Sequence, residues 1–326
     1  MDELVDQAAP HGEAPSSVPT TSRADSGGGR SVPGWAAFLA GAAAALVGLA
    51  PWLISGARLP LQNLGEGGIP AEAPVVLLPF SQYMVTSIFA VLVVGGAVAG
   101  IAARALVARD GARAPAWWIG CGLATAQVFA VVQTVAVVSA GLRDGRDSAV
   151  YLVGIGSGVV VCLLISVGAF ILIALAPRAG ALFGLSTGAI AVGLWLPIAV
   201  VDPISSMPAQ LWLLRAIGYV MPILVGVAIV WAGVRTVGRV VSALVSLVLV
   251  WLGPALTTAL WSALGSRVLA REPAVMLEYG VGIFRQYATD AGLVREPLAI
   301  AVAVAVIGLS GREVLRRRAH PAEHTG

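Results

Sequence analysis

"MVTSIFAVLVVGGAVAGIAA" occupies residues 84–103, twenty residues without one charge. Its length decides the fold. An α-helix rises 1.5 Å per residue, so this stretch covers about 30 Å, the thickness of a bilayer's hydrocarbon core. Inside lipid, backbone N–H and C=O groups must be satisfied within the protein, and a helix does this by itself. Similar runs recur near 35–55, 116–140, 149–176, 180–201, 216–234, 240–262 and 298–311. The predicted fold is an all-α, polytopic transmembrane helical bundle of about eight spans.

Composition agrees. The 326 residues have a mean hydropathy of +0.89 and are 58% hydrophobic and 11% charged. Soluble domains carry about 25% charged residues. Every basic residue is arginine. No basic patch interleaves with aromatics, so nucleic acid is not an expected partner. Cys121 and Cys162 fall in different spans without metal-ligand spacing and read as packing residues.

Arginine placement sets the expected orientation. Eight spans put both termini on one side, with twelve arginines there and eight on the other, four of them in the long loop 263–297. Both termini are therefore expected in the cytoplasm, with the chain multi-pass in the cell membrane and the bilayer as its solvent. Trp117, Trp118 and Trp231 should then mark the inner interface, and Trp52, Trp212 and Trp261 the outer one.

Three regions divide the chain. Residues 1–33, with "SSVPTTSRADSGGGRSVPG", lack any apolar period and read as a disordered tail, a solvated terminus or a docking segment. Residues 34–315 form the membrane domain, and 316–326 a basic tail. Arginines of "GREVLRRRAH" (311–320) should meet anionic lipid head groups, each contributing about 1 kcal/mol. Within the membrane domain, the outer connection 56–83 is rich in Pro and Gly and should be irregular. In 263–297, Met276, Leu277, Gly280, Val281, Phe284 and Tyr287 recur near helical spacing, which fits a helix in the interface or one packed over the bundle.

Lipid is as apolar as leucine, so spans associate through close backbone contact. Small-residue stripes at Gly96/Gly100, Gly154/Gly158/Cys162/Ser166 and Gly180/Gly184/Gly188 read as packing faces. Pro51, Pro197, Pro222 and Pro254 lie towards the outer halves of spans and can kink them, with or without opening a vestibule. "GLAPW" (48–52) and "GLWLP" (193–197) hint at two four-span halves.

Enzyme motifs are missing. His11, His320 and His324 all sit in tails, and no Asp or Glu lies mid-span. Asp144 and Asp147, each beside an arginine, read as a solvated turn rather than a Mg²⁺-diphosphate site. No phosphate-loop lysine exists. No metal or cofactor is expected.

The remaining polar residues are the binding candidates: Gln127, Thr134, Asp202 and Arg215. Gln127 and Thr134, seven apart, share a helix face, while Gln133 lies about 120° away. The Gln127 face suits either a cavity or helix-joining bonds, and Gln133 suits the latter. Asp202 and Arg215 flank the loop "DPISSMPAQLWLLR" and could pair across it. The expected function is permease-like transport of a small or amphipathic solute, with a membrane scaffold or accessory subunit of an envelope complex, holding a protein partner, as the alternative.

Overall fold

A computed structural model describes residues 32–59, 74–110, 114–142, 145–200, 207–266 and 272–319. The tail 1–31, residues 60–73 of loop 56–83 and Asp202 lie outside the described residues. In chain order the helices are α1 (Gly34–Ile54), α2 (Val85–Asp110), α3 (Ala114–Gly141), α4 (Arg146–Leu175) and α5 (Arg178–Val200). They continue with α6 (Met207–Gly218), α7 (Val220–Ala232), α8 (Val237–Leu264), α9 (Pro273–Thr289) and α10 (Ala291–Ala319). Among the described residues, eight helical stretches are long and apolar enough to cross a membrane: α1 to α5, α6 joined with α7, α8, and α10. The chain is an all-α, multi-pass membrane bundle.

Gly34 at the start of α1 lies against Trp118 at the start of α3. Arg104 near the end of α2 donates to the Ile173 and Ala176 carbonyls at the end of α4, at 2.7 and 3.0 Å, and sits over the Trp231 ring. These residues mark the terminal side of the bundle; the opposite end is the far side.

The neighbours repeat. Helix α1 packs on α2 and α3, and α2 packs on α4; α5 packs on α7 and α8, and α7 packs on α10. The two sets meet mainly where α2 and α4 contact α5. "GLAPW" and "GLWLP" also meet directly, since the Trp195 indole donates to the Gly48 carbonyl at 2.8 Å.

Glycine sets the closest of these contacts. A β-carbon at Gly122 would overlap the Phe38 carbonyl, and one at Gly41 would overlap the Ile119 carbonyl. The α1 and α3 backbones therefore touch. The stripe on α4 is used only in part: Cys162 and Ser166 are buried, whereas nothing lies within 4 Å of a β-carbon at Gly154 or Gly158. Four residues turn a helix by 400°, so an i, i+4 row drifts about 40° per step and about 120° over twelve residues. The buried row is Ile155, Val159, Cys162, Ser166, Ala169 and Ile173 instead.

Several elements differ from the sequence reading. The sixth span starts earlier, so Arg215 lies on α6 rather than beside a loop. It also breaks at Tyr219, because Pro222 has no N–H to offer the Gly218 carbonyl one turn back. The last span begins at Ala291, which moves Glu296 from a loop onto α10. Helix α9 packs on α8: Gly280 lies against Ala263, and the Trp251 indole donates to the Ala288 carbonyl at 2.8 Å. Met276, Gly280, Phe284 and Tyr287 form its half-buried face, while Leu277 and Val281 are exposed. Trp52 does not stand in an aromatic belt; it is 5% exposed.

Candidate functional site

The far-side end of the first four helices is closed by the chain itself. Residues 74–81, extended at 74–76 and bent at 77–78, sink between the helix ends. Val76, Leu78 and Phe80 are fully buried. An extended segment brings bare N–H and C=O groups into an apolar site, so each needs a partner from elsewhere. One set comes from the residues that follow α1: the Val76 N–H donates to the Ala57 carbonyl at 2.9 Å, and the Leu59 N–H to the Pro74 carbonyl at 3.2 Å. Two are met by local turns, the Phe80 N–H donating to the Leu78 carbonyl and the Ser81 N–H to that of Pro79, both at 2.8 Å, and the others by side chains. The Trp52 indole donates to the Val76 carbonyl at 2.8 Å. Gln133 accepts from the Leu77 N–H at 3.0 Å and donates to the Val75 carbonyl at 3.1 Å. Thr134 accepts from the Leu78 N–H at 3.0 Å. The Tyr151 hydroxyl donates to the Phe80 carbonyl at 3.2 Å, with its ring edge-on to Phe80.

Gln127 sits at the midpoint of α3 and is 1% exposed. Its amide donates to the Leu92 carbonyl on α2 at 2.8 Å and to the Ser166 hydroxyl on α4 at 3.0 Å. That hydroxyl in turn lies 2.8 Å from the Leu92 carbonyl and 3.2 Å from the Gln127 carbonyl oxygen, and its one proton serves either. Gly96 makes this closure feasible, since a β-carbon there would overlap the Ser166 carbonyl. The Gln127 face thus meets two helices, and its amide nitrogen is engaged by both. The last four spans carry a smaller counterpart: fully buried Ser186 on α5 donates to Ser246 on α8 at 2.8 Å, and Ser246 donates to the Ser242 carbonyl.

Interhelical bonds of this kind contribute about 0.6 kcal/mol on average and about 1–2 in model peptides. Gln127→Leu, similar in size but unable to bond, should lower the thermal midpoint of the purified protein modestly, corresponding to about 1–2 kcal/mol. An unchanged midpoint with loss of a transported solute would place a cavity there instead.

Thr134 shares Gln127's helix face, yet it holds the closing segment, because it lies two turns nearer the far side. Arg215 reaches α10 through Tyr219: its Nε donates to the Tyr219 hydroxyl at 3.3 Å, which donates to Glu296 at 2.8 Å. The sequence reading missed Trp52, Tyr151, Tyr219 and Glu296. The only signal for the last pair was the spacing of Arg215 and Tyr219, four apart on one helix face.

Among the described residues, no group of three or more His, Cys, Asp and Glu side chains is placed to hold a metal ion. Compared with family models, with curated proteins and with solved structures, the chain finds no match.

Proposed function

We propose that this membrane protein is a non-enzymatic scaffold, an accessory subunit of a cell-envelope complex with both termini in the cytoplasm. The closed Gln127–Ser166–Leu92 network carries this reading. A permease acting through α1 to α4 needs polar groups free to meet a solute at mid-membrane. Here they are spent on one another, and the far side above them is filled by residues 74–81. The recurring neighbour pattern and the Trp195–Gly48 bond support two duplicated four-span halves, an architecture that suits a rigid body. Helix α9 offers an outer surface for a partner, with Glu278 and Arg285 exposed along its free edge.

A second reading, permease-like transport of a small or amphipathic solute, draws on the last four spans. A broken span with an Arg215–Tyr219–Glu296 chain beside the break resembles the discontinuous helices that line substrate sites.

One experiment separates the two. A photo-crosslinking residue placed at Glu278 or Arg285 in cells should give a discrete protein adduct, and one at lipid-facing Val306, 56% exposed, should give none. Flux of a solute through proteoliposomes of the purified chain, abolished by Glu296→Gln and accompanied by no adduct, would overturn the scaffold in favour of the permease.

A further inference from the structure

We infer that the terminal side carries a specific binding site for a phosphate group, whether of an anionic phospholipid or of a soluble phosphoester. A hollow of about 220 Å³ opens there, where the start of α5, the α7–α8 turn and the end of α10 converge. Arg178, Arg235, Arg239 and Arg312 line it, with Glu313 as the one acid. Four arginines and a single acid thus border one small space.

The carboxylate is already occupied. Glu313 lies 3.9 Å from Arg235, 3.7 Å from Arg316 and 3.3 Å from Arg317. Arg312 turns towards the main chain and donates to the Val230 and Trp231 carbonyls at the end of α7. Arg178 and Arg239 have no acidic partner among the described residues. They come from different helices yet border the same hollow. Unpaired like charges held together repel, unless an anion joins them. Arginine's planar fork fits phosphate oxygens two at a time.

The main chain adds to the same field. Helix α8 starts at Val237, between lining residues Arg235 and Arg239, and its N-cap Thr236 makes no side-chain cap bond. The Arg239 and Val240 N–H groups donate to the Thr236 carbonyl at 2.9 and 3.0 Å, which leaves those of Val237 and Gly238, ahead of them in the 28-residue helix, for an anion that a helix start attracts. The walls differ from a purely polar site: Ala232, Leu309 and the exposed Val234 border it. A charged floor with an apolar rim at a membrane surface suits a head group whose acyl chains run down the bundle.

This site is distinct from the general attraction of the tail arginines 316–318, and the test turns on that difference. The full-length protein in mild detergent would be titrated with phosphatidylglycerol or phosphatidylcholine, and bound lipid counted by native mass spectrometry. One phosphatidylglycerol per chain should be retained over phosphatidylcholine. The double variant Arg178→Gln/Arg239→Gln should weaken retention at least ten-fold, and Arg316→Gln/Arg317→Gln/Arg318→Gln less than three-fold. Glu313→Gln, which removes the competing carboxylate and keeps every lining arginine, should tighten it, and it tests the site even if the double variant fails to fold. Inorganic phosphate and glycerol phosphate are the competing arms. Displacement at millimolar concentration assigns a soluble phosphoester, and resistance assigns the lipid. Equal retention of the two lipids with no phosphate binding would overturn the site. So would a larger loss in the tail variant than in the double variant, or weaker binding in Glu313→Gln.

Discussion

Gly122→Leu is expected to leave no correctly assembled protein, and Gly122→Ala to lower the thermal midpoint by several degrees. The reason is which atoms stand in the way. A β-carbon at Gly122 overlaps the Phe38 carbonyl oxygen and lies 2.8 Å from its carbon and 3.0 Å from the Ala42 nitrogen. All three are helix backbone. A side chain could rotate aside, but a helix can only move as a body. Separating α1 from α3 forfeits the dispersion contacts and close backbone approach that hold helices together in lipid. Overpacking costs about 1–3 kcal/mol and sometimes more even where neighbours are flexible. Size-exclusion of a fluorescent fusion would read the Leu variant, and thermal unfolding the Ala variant. Gly154→Leu is the control, because open space surrounds that position. Equal behaviour of Gly122→Leu and Gly154→Leu would sink the argument.

The second large effect concerns the far-side closure. Gln133→Leu/Thr134→Val keeps side-chain volume but removes the acceptors for the Leu77 and Leu78 N–H groups. A buried donor left without a partner costs about 1–3 kcal/mol, so the pair loses roughly 2–6 kcal/mol of local stability. That cost falls on the closing segment rather than on the whole bundle, and residues 74–81 should open far more often. The reporter is Leu78→Cys, at a fully buried position, in a background with Cys121 and Cys162 changed to Ala. A membrane-impermeant maleimide should label it slowly in the parent. In the double variant labelling should accelerate about tenfold for each 1.4 kcal/mol lost. Unchanged labelling would show that Trp52, Tyr151 and the apolar side chains hold the segment alone.

The sequence made the spans legible because their information is local: about twenty apolar residues encode a crossing whatever they touch. Partners are different. Helical geometry separated Gln127 from Gln133, and in the structure they do face different elements, α2 and α4 for one and residues 75–77 for the other. Helix α3 is so evenly apolar that nothing in it says which face meets a helix. The segment "PVVLLPF" was unreadable for a further reason. Its order comes from side chains 56 and 71 residues later in the chain, and no local pattern records that. Helix α9 fell between: its period was visible, its docking on α8 was not. Arg215 was read beside Asp202 because the break at Tyr219 hid the helix that carries it towards Glu296.

The closing segment has a consequence for how the protein is made. Residues 74–81 leave the ribosome before α3 and α4, yet Gln133, Thr134 and Tyr151 hold them in place. Phe80 must wait 71 residues for Tyr151, about 4–14 s at roughly 5–20 residues per second. Through that interval Leu78 and Phe80 lack the α3 and α4 side chains that hold them. Only a nascent chain that has inserted its fourth helix can hide them. An arrested or truncated chain therefore displays an apolar flag to the proteases and chaperones that police membrane insertion, and a finished one withdraws it.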